Sequence, residues 1–234
     1  MTELLRPSYQ GPFFLRVEQI KMSLEPPARL TFPAWSNPLT WWWGMLAIVS
    51  GTNIAVWFLL YWYLQEPPSG GFGVASDVYV MLLLSAAYVC GCAFRSILPR
   101  ADVQRICLFD TWLSSVTLGR SVATVAEICF ATQWAIILRH LGTMVGANTT
   151  LSAAWAIVPF ILIAECFSWH GVLTKNYLSN AIENSIWAIS FIIVGIGVCR
   201  LLPEFEGLGR GVILIAVVGI ASYLVFLAAI DIPI

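Results

Sequence analysis

Three glutamate residues, Glu127, Glu165 and Glu183, lie inside stretches of the sequence that are otherwise apolar enough to cross a membrane. An ionised carboxylate in hydrocarbon costs roughly 2.5–3.5 kcal/mol on insertion scales. A chain retains such groups only where they are paired, protonated or in contact with a water-filled cavity. We therefore expect the functional site to include these three carboxylates.

Further polar and aromatic residues follow the same helical faces as the glutamates. Residues three or four positions apart share one face of a helix, and both the Glu165–Trp169 and the Glu183–Trp187 pairs have this spacing. The predicted site for a solute or an ion takes its residues from the third, fourth and fifth apolar stretches: Arg120, Thr124, Glu127, Glu165, Trp169, His170, Asn180, Glu183, Asn184 and Trp187.

The third apolar stretch carries a polar stripe along one face. Its members recur at steps of three and four residues: Asp110, Ser114, Thr117, Ser121, Thr124 and Glu127. A helix that faced lipid would not carry such a stripe, so this helix is predicted to face protein or water.

The balance of charges indicates how the site could work. Arg120 and Glu127 are two turns apart on one helix, about 10 Å along its axis, so we expect Arg120 to pair with Glu165 or Glu183 across a helix interface instead. At least one carboxylate then has no cation, unless His170 is protonated. A carboxyl group in that position favours its protonated form when the surroundings have a low dielectric constant. The cluster is therefore predicted to take up and release protons.

The same residues also have structural and metal-binding interpretations. Polar contacts between membrane helices are worth about 0.6 kcal/mol on average, and helix packing alone rarely needs three carboxylates, an arginine and a histidine. A di-iron site in a bundle uses Glu-x-x-His on two helices, whereas His170 follows Glu165 by five residues and His140 lies near the far end of the third stretch. No metal site is predicted, and no cofactor is assigned.

The composition is that of an integral membrane protein. Of the 234 residues, 59% are hydrophobic and 11% are charged, whereas a soluble domain carries about 25% charged residues. The net charge of −1 and the lack of a basic run exclude a general role in binding nucleic acid. The lipid bilayer is the expected partner of most of the surface.

Six apolar stretches are each near the roughly 20 residues that a helix needs to cross a bilayer. They comprise residues 42–64, 78–98, 116–138, 151–172, 181–201 and 211–230. The short connection between the fourth and fifth predicts that these two are antiparallel neighbours. The predicted fold is therefore all-α, a polytopic bundle of six transmembrane helices within residues 41–234.

The remaining regions are less regular. Residues 1–40 are expected to form a cytoplasmic or interfacial segment, either as a short helix on the membrane surface or as an unordered tail. Residues 101–140 contain no proline, and one helix of that length would measure about 60 Å. A bend is therefore expected near Gly119, with residues 101–118 along the membrane interface or projecting into the cytoplasm.

The placement of lysine and arginine predicts the orientation in the membrane. With a cytoplasmic N-terminus, eight of these residues fall on the inside, and Arg139, Arg200 and Arg210 fall on the outside. Cytoplasmic loops carry the excess of positive residues. Both termini are therefore predicted to be cytoplasmic.

Three functions are compatible with these features. We favour a transporter or channel that moves a small solute or a proton between the third, fourth and fifth spans, and that forms a homo-oligomer because six spans show no internal repeat. The second is an intramembrane enzyme acting on a lipid or isoprenoid at the cytoplasmic leaflet. In that enzyme Glu165 or Glu183 would be the general base and His170 the acid, and Arg120 would bind an anionic head group. The third is an accessory or scaffold subunit of a larger membrane complex, with a bound pigment or quinone.

Overall fold

The computed structural model describes residues 38–64, 72–101, 106–109 and 111–232, and nearly all of them are helical. The long helices are α1 (Pro38–Tyr63), α2 (Phe72–Ile97), α3 (Val116–Val145), α4 (Asn148–Thr174), α5 (Tyr177–Cys199) and α6 (Gly207–Phe226). A π-helical turn, Leu227–Asp231, extends α6. Six helices of the described chain are long and apolar enough to cross a membrane. The all-α, six-span fold is thus confirmed, and the chain is a multi-pass membrane protein.

Local capping explains where the central helices begin and end. The α3 helix begins after Ser115, whose side chain accepts a hydrogen bond from the Leu118 amide, and it ends at Gly146, which has a positive φ of 67°. Glycine adopts such a conformation readily because it has no Cβ atom. Between α4 and α5 the chain turns at Lys175, in the left-handed conformation, and Asn176, whose side chain caps α5. This tight turn makes α4 and α5 the antiparallel neighbours that the sequence predicts.

The expected bend near Gly119 is wrong, because the helix does not extend upstream of Ser115. The backbone of Ser115 is extended, with φ −61° and ψ 142°, so the α-helical hydrogen-bond pattern cannot pass through it. Upstream lie a short 3-10 helix, Trp112–Ser114, and the antiparallel pairing of Arg100–Ala101 with Ile106–Cys107. The Asp110 end of the predicted polar stripe lies outside the described residues.

Small residues let the three central helices approach one another closely. The buried core between α3, α4 and α5 contains many alanines, among them Ala131, Ala153 and Ala164. At Gly197 of α5 an added Cβ would lie 3.0 Å from the Cβ of Ala153, a tight contact, so glycine favours this close approach. The Thr150 hydroxyl donates to the Gly197 carbonyl oxygen at 2.8 Å and joins α4 to α5. The close α3–α4–α5 packing holds the polar residues of the site together.

The α1 helix lies at the edge of the bundle against α2. The indole of Trp57 donates to the Ser85 hydroxyl at 3.0 Å, and the indole of Trp43 donates to the Ile97 carbonyl at 3.0 Å. Trp62 and Tyr63 at the other end of α1 are exposed, as expected for aromatic residues at a membrane interface. The predicted interfacial segment, residues 1–40, lies almost wholly outside the described residues, and the orientation of the termini stays a prediction.

Candidate functional site

Helices α3, α4 and α5 bring the three glutamates together. Glu127, Glu165 and Glu183 each contribute a carboxylate oxygen to a group whose members lie within 4.8 Å of one another. Along the helix axes, Glu127 is about 17 Å from the start of α3, Glu165 about 14 Å from the end of α4 and Glu183 about 9 Å from the start of α5. These three helix ends lie on the same side of the bundle. The cluster therefore lies in one half of the bundle, inside the hydrocarbon thickness of about 30 Å. We refer to these three side chains as the carboxylate cluster.

The guanidinium group of Arg120 lies in the middle of the carboxylate cluster. Its Nη2 atom is 2.7 Å from both oxygens of Glu165, and its Nη1 atom is 3.6 Å from Glu183. The predicted ion pair across a helix interface is therefore present. Arg120 is only 5% exposed and Glu165 only 4%, so neither charge is compensated by water, and each depends on the other.

The expectation that Arg120 does not reach Glu127 is wrong. Nη2 of Arg120 lies 3.4 Å from Oε2 of Glu127, although the two residues belong to the same helix. Helical side chains tilt towards the N-terminus, so the Glu127 side chain extends back towards Arg120. Arg120 is tilted the same way, so its long side chain must extend towards the C-terminus to meet Glu127 across the two turns.

A chain of hydrogen bonds from Trp169 through Thr124 fixes the Glu165 carboxylate. The indole Nε1 of Trp169 donates to the Thr124 hydroxyl at 3.0 Å, and that hydroxyl donates to Oε2 of Glu165. Glu165 thus accepts from both Arg120 and Thr124. An acceptor with these partners is an ionised carboxylate. Glu165 is accordingly the residue that anchors Arg120.

The cluster carries more negative than positive groups. Three carboxylates surround one guanidinium, and the only further cation among the described contacts is Arg95 of α2, half exposed and 4.0 Å from Glu127. Two like charges 4.8 Å apart repel by about 3 to 4 kcal/mol at an effective dielectric constant near 20. Full ionisation of all three carboxylates is therefore costly. With all three carboxylates ionised, the negative charges of the cluster outnumber the one guanidinium at its centre.

A cavity of about 920 Å³ opens beside the cluster. Five helices line it, because α2 and α6 contribute side chains as well as the predicted α3, α4 and α5. Polar residues of α2, α5 and the π-helical turn lie towards the end with the α4–α5 turn: Arg95, Tyr177, Asn180, Asn184 and Asp231. Deeper in the bundle, aromatic rings replace them. The cavity is thus polar at one end and apolar at the other.

The predicted site residues fall into three groups. Six line the cavity: Arg120, Glu127, Asn180, Glu183, Asn184 and Trp187. Thr124, Glu165 and Trp169 form the layer behind Arg120. His170 belongs to neither group, because it is exposed and its ring Nδ1 lies 2.7 Å from the Ser179 hydroxyl, in the described part of the chain. Its interaction is across the α4–α5 turn and not with the carboxylates.

Sequence reasoning missed the contributions of α2 and α6. Tyr88, Cys92 and Arg95 of α2 line the cavity, as does Tyr223 of α6. An arginine near the end of an apolar stretch, as Arg95 is, was the available signal. Ser168 was also missed, although it is one turn from Glu165 on α4. It is 1% exposed, lies beside the Glu183 carboxylate without hydrogen-bond geometry, and its hydroxyl has no hydrogen-bond partner within the described residues.

The three carboxylates have the mutual spacing of a metal-ligand set. The guanidinium of Arg120, however, occupies the position among them where a metal ion would lie. Arg120 nitrogen atoms lie within 3.6 Å of all three glutamates. A divalent ion among these oxygens would have to displace the Arg120 side chain from its ion pair with Glu165. The guanidinium of Arg120 thus already occupies the position among the three carboxylates that a metal ion would take.

Comparison with known protein families, curated proteins and solved structures found no match to this chain.

Proposed function

We propose that this protein is a transporter or channel that moves protons, or a small solute coupled to protons, through the cavity beside the carboxylate cluster. The observation that carries the proposal is the excess of negative over positive groups in the carboxylate cluster beside the cavity. Three carboxylates share one buried guanidinium, Arg120. Ionisable residues inside membrane-spanning helices commonly mark the pathways of ions or protons, which supports the proposal.

The two glutamates that line the cavity differ from the one behind it. Glu165 holds Arg120 at 2.7 Å and does not line the cavity, whereas Glu127 and Glu183 line it and lie 3.4 Å and 3.6 Å from the guanidinium. The longer separations mean weaker ion pairs. Glu127 and Glu183 are therefore the groups proposed to exchange protons with the cavity.

Proton exchange at these two groups depends on every charged or titratable side chain that faces them. Besides Glu127 and Glu183 themselves, these come from four of the helices around the cavity: Tyr88, Cys92 and Arg95 of α2, Arg120 of α3, Glu165 of α4, and Tyr223 and Asp231 of α6 and its extension. Arg120 and Arg95 favour ionisation, whereas burial and the neighbouring carboxylates oppose it. Because these effects oppose each other, neither the protonated nor the ionised form of Glu127 and Glu183 is strongly excluded, so these groups can exchange a proton.

The lipid enzyme of the second hypothesis receives less support from the geometry. The two Nη atoms of Arg120 point towards carboxylates, so they are not available to an anionic head group. His170, the proposed acid, contacts Ser179 instead of the cluster. No specific contact among the residues that the structure describes favours the accessory-subunit hypothesis. Assembly into a homo-oligomer or a larger complex stays part of the transporter proposal.

The proposal is tested by proton flux into liposomes. Purified protein is reconstituted into vesicles that contain a pH-sensitive dye, an inward proton gradient is applied, and valinomycin with potassium prevents charge build-up. Wild-type vesicles should acidify faster than protein-free vesicles. The variants Glu127→Gln and Glu183→Gln should slow acidification towards the protein-free rate, because each removes one exchangeable proton site.

Glu206→Gln is the matched control, since Glu206 is an exposed residue between α5 and α6. It should leave the flux unchanged. Gel filtration verifies that each variant remains folded. Equal flux in wild type, Glu127→Gln and Glu183→Gln would overturn the proposal, as would a wild-type rate equal to that of protein-free vesicles.

A further inference from the structure

The deeper part of the cavity has an aromatic wall. Six rings from four helices line it: Tyr88, Phe130, Trp134, Trp187, Phe191 and Tyr223. Phe191 is at their centre, with ring centroids 4.9 Å from Tyr223 and 5.9 Å from Trp187. Tyr88 stacks on Phe130 at 4.9 Å. The aromatic wall is therefore a continuous packed surface and not a set of isolated rings.

The volume of the cavity exceeds what a proton pathway needs. A water molecule occupies about 30 Å³ of liquid, whereas this cavity measures about 920 Å³. Pockets that bind drug-sized molecules measure about 300–1,000 Å³ and are mostly apolar with a few polar groups. The volume and lining therefore fit an organic molecule.

The charges of the cavity select the sign of that molecule. Glu127 and Glu183 face the cavity, and the Nη atoms of Arg120 are held by carboxylates. The buried Ser168 hydroxyl lines the same place without a hydrogen-bond partner in the described chain. A hydroxyl can serve as donor or acceptor, so Ser168 adds a polar group that a ligand would satisfy. An anion would be repelled there.

We propose that the cavity binds an organic cation, an amine or onium group on an aromatic or apolar body. The cationic group would lie between Glu127 and Glu183, and the body would lie against the aromatic wall. Aromatic faces attract cations by about 0.5–2 kcal/mol each, so the wall and the two carboxylates favour the same ligand. The claim that this organic cation is the solute that the protein moves rests on the proposed function.

The probe is tetraphenylphosphonium, a permanent cation with an aromatic body, and its counterpart is tetraphenylborate, an anion of the same shape. Binding of each radiolabelled ion to detergent-purified protein is measured by equilibrium dialysis. Tetraphenylphosphonium should bind saturably, and tetraphenylborate should bind at least about tenfold more weakly, because the cluster carries excess negative charge. This comparison uses the wild-type protein, so it does not depend on any variant folding.

Variants then locate the bound cation. Glu183→Gln should weaken tetraphenylphosphonium binding by about tenfold. Trp187→Leu should also weaken binding, because it removes one ring of the aromatic wall. Trp155→Leu is the matched control for the tryptophan, since Trp155 is 76% exposed on the outer surface of α4, and Glu206→Gln is the control for the glutamate. Both controls should bind as the wild type does.

Two results would overturn the inference: equal binding of the borate and the phosphonium, or unchanged phosphonium binding in both Glu183→Gln and Trp187→Leu. Its failure is distinguishable from that of the proposed function. Proton flux without phosphonium binding would remove the ligand class and keep the transport activity. Saturable phosphonium binding without proton flux, when flux is measured both without and with tetraphenylphosphonium in the vesicle assay, would keep the ligand class and remove proton-coupled transport.

Discussion

The ion pair between Arg120 and Glu165 should be worth far more than an ordinary polar contact between membrane helices. The two groups meet at 2.7 Å, and both residues are at least 95% buried. At that distance the Coulomb attraction at an effective dielectric constant near 20 is about 6 kcal/mol, an upper bound because both charges are spread over several atoms. Removing one partner of a buried pair typically costs about 3–5 kcal/mol.

We therefore expect Arg120→Met to lower the free energy of unfolding by about 3–5 kcal/mol. Glu165→Gln should cost less, because Arg120 then keeps Glu127 and Glu183 within 3.4 Å and 3.6 Å. In the double variant the two losses should not add. The coupling energy of the double-mutant cycle should be at least about 2 kcal/mol, well above the average of about 0.6 for polar contacts between membrane helices.

The assay is reversible unfolding of the detergent-solubilised protein in sodium dodecyl sulfate, followed by circular dichroism. A second cycle on Arg139 and Asp77 gives the matched control, because that pair lies at 3.8 Å but is 53% and 44% exposed. Its coupling should stay below about 0.5 kcal/mol. Should the Arg120–Glu165 cycle give a coupling no larger than the control cycle, the reasoning from burial and distance is refuted.

Two further predictions concern helix packing. An added Cβ at Gly91 would lie 2.8 Å from the Cβ of Ala126, so Gly91→Ala should overpack the α2–α3 interface and lower the thermal midpoint of unfolding. Gly51 has open space around it, so Gly51→Ala should not lower the midpoint. Equal midpoints for the two variants would contradict the described α2–α3 distance. Thr150→Val should lower the free energy of unfolding by about 0.6–1.7 kcal/mol in the sodium dodecyl sulfate assay. The reason is that the Gly197 carbonyl lies in the last turn of α5 and would lose its hydrogen-bond donor. An unchanged free energy of unfolding would show that this carbonyl has another donor.

The spans and the meeting of the glutamates could be predicted because both depend on one-dimensional patterns. A bilayer requires about 20 apolar residues, and helical periodicity puts residues four apart on one face. Glu165 and Glu183 therefore had to lie on polar faces of adjacent antiparallel helices. The break at Ser115 could have been predicted too, since serine is a preferred helix-capping residue.

Other features of the site could not be predicted because they depend on rotation and side-chain conformation. His170 is five residues after Glu165, which corresponds to about 140° around the helix, and that angle turns it towards Ser179. Whether Arg120 reaches Glu127 depends on the rotamers of two long side chains. The part played by Tyr88 depends on how α2 is rotated against α3, which no spacing within α2 reveals.

The proposed functions of the carboxylate cluster and of the aromatic wall lead to a single constraint on the ligand. Glu127 and Glu183 cannot both stay ionised next to Glu165 without a compensating charge, because each pair of carboxylates repels by several kcal/mol. A proton and an organic cation would compensate the same charge, so on the proposed function they compete for the same two side chains. Such competition is reciprocal by thermodynamic necessity: a cation that displaces protons is displaced by them to the same degree. Arg120 makes the exchange possible, since its guanidinium lies 3.4 Å from Glu127 and 3.6 Å from Glu183 and lowers the cost of ionising either carboxyl group when its proton leaves.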